Sequence, residues 1–127
     1  HHPTEIKVVL EGVEKVYVGF EKVCIFQPHR ISRLKDLGKE FSFAFKSADT
    51  VILCPIFAAG EKMKLGFNYL SFANEIIRNS KVKLFLVKDN NQLAKFLKKN
   101  MYGKKIVIGM GAGSISSWLR KLPNLIK

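Results

Sequence analysis

Apolar runs such as 51–54 and 106–110 fall far short of the roughly 20 residues that a bilayer-spanning helix needs, so no membrane partner is expected. No basic stretch leading into an apolar one opens the chain, so no secretory signal is read and a cytoplasmic location is expected. Cysteine is scarce. Cys24 and Cys54 each lie inside an apolar run without CxxC spacing or a nearby histidine, which favours buried reduced thiols over a disulfide or a metal pair. The sequence contains no GxxxxGK[ST] phosphate loop, no paired carboxylates, no metal-ligand cluster and no Ser-His-Asp order. These absences argue against a free-standing enzyme and against tight ATP binding by this chain alone.

What remains is the composition of a folded domain. The 127 residues are 47% hydrophobic and 25% charged, with ten Phe, enough for one domain with a real core and too few for two. The formal net charge of +12 points toward anions: nucleic acid, a phosphorylated ligand or an acidic surface. Eighteen of the 22 basic residues are Lys, scattered over helices and turns, whereas phosphate and groove readers lean on Arg with interleaved aromatics. A solvated surface is therefore favoured and no nucleic-acid partner is expected, the alternative being a small basic α/β module that binds nucleic acid or a phosphorylated ligand.

Hydrophobic spacing organises the chain. Ile6, Val9, Leu10, Val13 and Tyr17 follow a helical period, with Pro3 suited to the first turn, which predicts a helix over 3–17. Then come a strand at 22–27, a helix marked by Leu34, Leu37, Phe41, Ala44 and Phe45, a strand at 50–55 and a loop over 56–67. A helix follows with Leu70, Ala73, Ile76 and Ile77 on its inner face, then a strand at 82–87, a helix with Leu93, Phe96 and Leu97, and a strand at 105–109. A tight turn at 110–113 and a last helix with Ile115, Trp118, Leu119 and Leu122 close the series. Strands apolar on both faces and separated by helices require crossover connections, so the fold class is α/β, Rossmann-like, a mainly parallel sheet with helices on both faces. In such sheets ligands bind outside the carboxyl ends of the strands, here the loops 27–33, 55–66, 88–90 and 109–114.

Two short segments hold all three histidines, His1–His2 and His29, and the second also holds Arg30 and Arg33, two of the four arginines. A cation at a helix entrance is disfavoured by roughly 0.3–1 kcal/mol unless an anion sits beside it, and Arg grips a carboxylate or phosphate through two parallel hydrogen bonds. An anion site at Arg30 and Arg33 competes here with a solvated basic loop. His1 and His2 also precede a helix N-terminus, a natural neighbour for an anion, although two leading histidines are equally what a tag remnant would leave. Gly111-Ala112-Gly113 follows a strand and precedes a helix, so its N–H groups are candidates to face an anion, but the third glycine of a dinucleotide fingerprint is lacking. Glu61 is the only acid in the predicted carboxyl-edge loop 55–66.

Taken in order, His1-His2-Pro3-Thr4-Glu5-Ile6, Phe26-Gln27-Pro28-His29-Arg30 with Ser32-Arg33, Ala59-Gly60-Glu61 and Met110-Gly111-Ala112-Gly113 resemble the third, C-terminal domain of the Mur ligases. The resemblance covers essentially the whole chain and is to the branch that joins L-alanine to UDP-N-acetylmuramic acid. It implies a Rossmann-like domain over residues 1–127 that closes on a central ATP-binding domain. In that reaction ATP, with Mg2+, phosphorylates the muramoyl carboxylate, and the L-alanine amine attacks the acyl phosphate.

The resemblance further implies that Arg30 and Arg33 hold carboxylate or phosphoryl oxygens, that His1 contributes from the adjacent loop, and that His29, Gly60, Gly111, Ala112 and Gly113 shape the same pocket. The chemistry implied is positioning and stabilisation of developing charge rather than proton transfer, and no residue of this domain is assigned a catalytic proton. The N-terminal and central domains, and an acidic residue that the family carries just before His1 to meet the nucleotide ribose, are absent, so the domain is expected to be cut at its N-terminal edge. Ile31, Ala58 and Ser114 depart from the family pattern, which has an aromatic, a proline, and an Asp or Asn at those places.

Overall fold

The computed structural model describes residues 2–56, 68–100 and 102–111, with the backbone alone at Ile31 and Arg33. Helix α1 (Pro3–Val16) begins where Pro3 fits a first turn that needs no N–H, and His2 caps it through Nδ1, which accepts from the Thr4 N–H at 3.1 Å. Strand β1 (Glu21–Gln27) follows, then α2 (Ile31–Phe43), β2 (Thr50–Leu53), α3 (Tyr69–Ser80), β3 (Lys83–Leu86), α4 (Asn90–Asn100) and β4 (Lys105–Gly111). The last helix expected from the sequence lies outside the described residues, as does the 56–67 loop beyond Ile56.

All four strands pair in parallel, in the order β3-β2-β1-β4. Because side chains alternate along a strand, the sheet separates its apolar residues onto two faces. Cys24, Phe26, Val51 and Leu53 pack with Ile6, Leu10, Leu34, Phe41 and Ile76 from α1, α2 and α3. Val23, Ile25, Ile52 and Cys54 pack with Leu93, Ala94 and Leu97 from α4. The fold is the α/β class expected, with helices on both sides of a parallel sheet. On the three-helix side Phe26 is the centre, its ring 5.7 Å from Phe41 and 5.2 Å from Phe45.

The two cysteines fall on opposite faces of the sheet, and both are free thiols. Burial pushes each thiol up to about 12, with the neighbouring Cys54 adding to the shift at Cys24.

One expectation is corrected. Met110 and Gly111 do not open a turn: β4 runs through them, so that Gln27 faces Gly111 at the end of the β1–β4 ladder. Gly111 has φ 136, a region open to glycine, and a Cβ there would overlap the Gln27 carbonyl oxygen. Glycine is what lets the two strand ends close together.

Candidate functional site

The chain lays down β1, β2 and β3 in one direction and then returns to place β4 on the far side of β1. That reversal makes the carboxyl ends of β1 and β4 the topological switch point, the position where open α/β sheets bind ligands. Gln27, Pro28, His29 and Arg30 leave β1 there, and Gly111 ends β4 beside them.

Arg30 occupies the N-cap of α2 with φ 66 and ψ 132. A side chain bearing a Cβ is rarely held in that region, at a cost of about 1–3 kcal/mol, and such strain persists only where the surroundings enforce it. The Arg30 side chain is exposed, makes no capping hydrogen bond and carries no ion pair among the described residues. No acid stands in the first turn of α2 to offset the positive end of the helix dipole. An exposed guanidinium with no ion pair among the described residues, at the positive end of a helix, forms a cationic corner suited to a carboxylate or a phosphoryl group.

His29 is half-buried in the same loop, so Arg30, His29 and Gly111 converge on one corner of the sheet. His1, Gly60, Ala112, Gly113 and the side chain of Arg33 lie outside the described residues; the Arg33 backbone belongs to the first turn of α2. His2, beside His1, is occupied as the α1 cap.

Two anchors escaped the sequence reading. The Gln27 side chain, buried at the end of β1, donates from Nε2 to the Pro55 carbonyl at 3.2 Å, and Tyr69 donates its phenol proton to the Cys54 carbonyl. Burial raises the Tyr69 phenol above its ordinary range, with Cys54 adding to the shift, so the hydroxyl stays protonated as a donor. The available signal was a glutamine closing the apolar run 23–26. Between β2 and β3, Pro55, Ile56, Tyr69, Val87 and Gln92 line a mostly apolar cavity of about 610 Å3 on this same edge. A second cavity, about 390 Å3, opens at the amino ends of the strands near Val23, Phe85 and Lys105.

No cluster of three or more His, Cys, Asp or Glu able to hold a metal occurs among the described residues.

No family model matches the chain. The chain is 67% identical over 126 residues to the UDP-N-acetylmuramate–L-alanine ligase of Pelagibacter ubique (strain HTCC1062), a match that takes in 99% of this chain and 27% of that protein. The chain thus spans about a quarter of the length of the curated relatives it matches. Among solved structures, the UDP-N-acetylmuramate–alanine ligase of Thermotoga maritima superposes with a TM-score of 0.68 at 21% identity, covering 98% of this chain and 24% of that one. A domain from a putative UDP-N-acetylmuramate:L-alanyl-γ-D-glutamyl-meso-diaminopimelate ligase of Haemophilus ducreyi superposes with a TM-score of 0.67 at 14% identity, covering 100% of this chain and 85% of that one. At such identities the two structures speak for the fold alone.

Proposed function

We propose that this chain, 67% identical over almost its whole length to part of a UDP-N-acetylmuramate–L-alanine ligase, is the C-terminal domain of a Mur ligase, an ATP-dependent enzyme joining L-alanine to UDP-N-acetylmuramic acid. The observation that carries this proposal is the match of almost all of this chain to about a quarter of a ligase of that name. Arg30, exposed and without an ion pair among the described residues at the switch point of a parallel sheet, supports it from the physical side.

The γ-phosphoryl group of ATP passes to the muramoyl carboxylate, the L-alanine amine attacks the acyl carbon, and phosphate departs as the amide forms. This domain's share is to bind and orient. Arg30 and Arg33 hold carboxylate or phosphoryl oxygens through their planar forks, His1 and His29 flank them, and Gly60 and the 111–113 segment give the backbone room to approach. Charge that develops on the acyl phosphate is thereby met by fixed donors. No group of three or more His, Cys, Asp or Glu suited to Mg2+ occurs among the described residues, and in this reading the metal and most ATP contacts belong to the N-terminal and central domains. We place the enzyme in the cytoplasm; among the described residues no helix is long and apolar enough to cross a membrane.

The test is phosphate release from ATP and UDP-N-acetylmuramic acid by the intact ligase. It should depend on L-alanine and vanish in the isolated 127-residue chain. Equal release with another amino acid and none with L-alanine would overturn the substrate assignment. His1→Ala in the intact enzyme should lower turnover, and wild-type turnover there would remove His1 from the site.

A further inference from the structure

We propose that Gln27 is a positioning residue for the anion-binding loop, holding Arg30 in place by tying the end of β1 to the segment that follows β2. This assignment rests on the ligase function proposed above.

Three observations lead to it. First, Gln27 is polar yet only 3% exposed, at the end of a strand whose preceding residues 23–26 are buried and apolar. A buried side-chain amide is kept where its hydrogen bonds are made, and its Nε2 donates to the carbonyl of Pro55, a residue 28 positions away on the next carboxyl-edge loop. Second, the Gln27 backbone is clamped from the other side by Gly111, where only glycine allows so close an approach. The ends of β1 and β4 and the segment that follows β2 therefore meet at this one residue. Third, the strained backbone of Arg30 lies three residues further on, with the Arg30 carbonyl accepting from Leu34 N–H at 3.5 Å at the start of α2. A φ of 66 at an arginine needs fixed points on both sides. The α2 helix supplies one and the Gln27 anchor supplies the other.

Gln27 itself is buried at the strand end and acts through Arg30. Small displacements of a positioning group cost large factors in rate, up to about a hundredfold for 1 Å. The effect on catalysis should therefore exceed what the loss of one neutral hydrogen bond implies for stability.

The experiment uses the intact ligase with Gln27→Leu, Arg30→Ala and the double variant, assayed well below each melting temperature so that every variant is folded. Gln27→Leu removes the donor while keeping similar bulk. Its kcat/KM for L-alanine should fall about tenfold or more. In the Arg30→Ala background the same substitution should change kcat/KM by less than about twofold, although its effect on melting temperature stays the same. Gln27→Glu supplies the rescue: the carboxylate cannot donate to Pro55, whereas the protonated acid can, so its activity relative to wild type should recover as pH is lowered from 8 toward 6.

Hydrogen exchange of the peptide covering 28–34 gives a readout independent of turnover. Exchange should quicken about fivefold or more in Gln27→Leu relative to α1. Additive losses in the double variant, or unchanged exchange over 28–34, would overturn the positioning role. A wild-type enzyme without L-alanine-dependent phosphate release would instead overturn the ligase function, and the exchange measurement would still decide on Gln27.

Discussion

The two ends of the sheet are built on opposite electrostatic plans. At the amino end, Lys105 reaches Glu21 at 3.2 Å and the Asn100 carbonyl at 2.7 Å, closing the carboxyl end of α4 with a cation where the helix dipole favours one. Beside it Lys22 lies 3.9 Å from Asp49, whose carboxylate also accepts the Lys22 N–H at 2.8 Å. At the carboxyl end, Arg30 stands at the wrong end of a helix for a cation, with no acid in the first turn of α2 and no ion pair among the described residues, on strained backbone. Charge that is neutralised locally serves the fold. Charge left free against its own helix dipole, at some conformational expense, is what a site for an external anion requires.

Substitutions at the two ends should therefore separate stability from function. The largest effect is expected where the carboxyl end is held together: Gly111→Ala drives a Cβ into the Gln27 carbonyl at a φ of 136. It should cost about 3 kcal/mol or more in denaturant unfolding, and a loss below about 1 kcal/mol would mean that β1 and β4 do not approach so closely.

Next comes the amino end. Lys105→Met removes an ion pair and a helix-end hydrogen bond from a side chain only 15% exposed, while Glu21 at 36% remains partly screened by water. A loss of about 1–2 kcal/mol in stability is expected, with kcat and KM of the folded intact enzyme unchanged. A kinetic defect there would break the division between the two ends.

Arg30→Lys should do the reverse. It keeps the charge and loses the planar fork, so turnover or L-alanine affinity should fall about tenfold or more while the melting temperature barely moves. Arg30→Gly sharpens the point: it should abolish the anion contact yet hold or raise stability, by up to about 1 kcal/mol, because glycine accepts φ 66. A marked drop in melting temperature in either variant would make Arg30 structural.

The smallest effect concerns the thiols. Their folded values, near 12, lie above the ordinary 9.0, so the folded chain keeps protons that the unfolded chain releases. Their contribution is fully present below pH 9 and is lost as pH rises from 9 toward 12. Cys24→Val should flatten that part of the alkaline unfolding curve, and native protein at pH 8 should react only slowly with a thiol reagent.

Much of the architecture was legible because it is written in local periodicity. The spacing of Ile6 and Leu10, of Leu34 and Phe41, and of Ala73 and Ile76 marks helical faces that are buried, whereas Val9, Tyr17, Leu70 and Ile77, read on the same faces, lie at their edges and are exposed. Helix α1 ends one residue before the expected boundary, and β2 closes at Leu53 rather than at Pro55. The cationic loop was legible too, since two arginines and a histidine beside a proline at a strand end stand out from an otherwise lysine-based charge.

The order β3-β2-β1-β4 was not legible, because parallel strands of similar apolar character carry no label for their neighbours. Nor was the Gln27 contact with Pro55, the pairing of Glu21 with Lys105, or the extension of β4 through Gly111. The sequence by itself determined the alternation of the described elements, most of their buried faces and the place of Arg30 at a strand's carboxyl end, all of which depend on residues a few positions apart. Only the tertiary structure decided which strand ends meet, because contacts across a parallel sheet join residues far apart in the chain through crossovers, and nothing in local spacing records the partner.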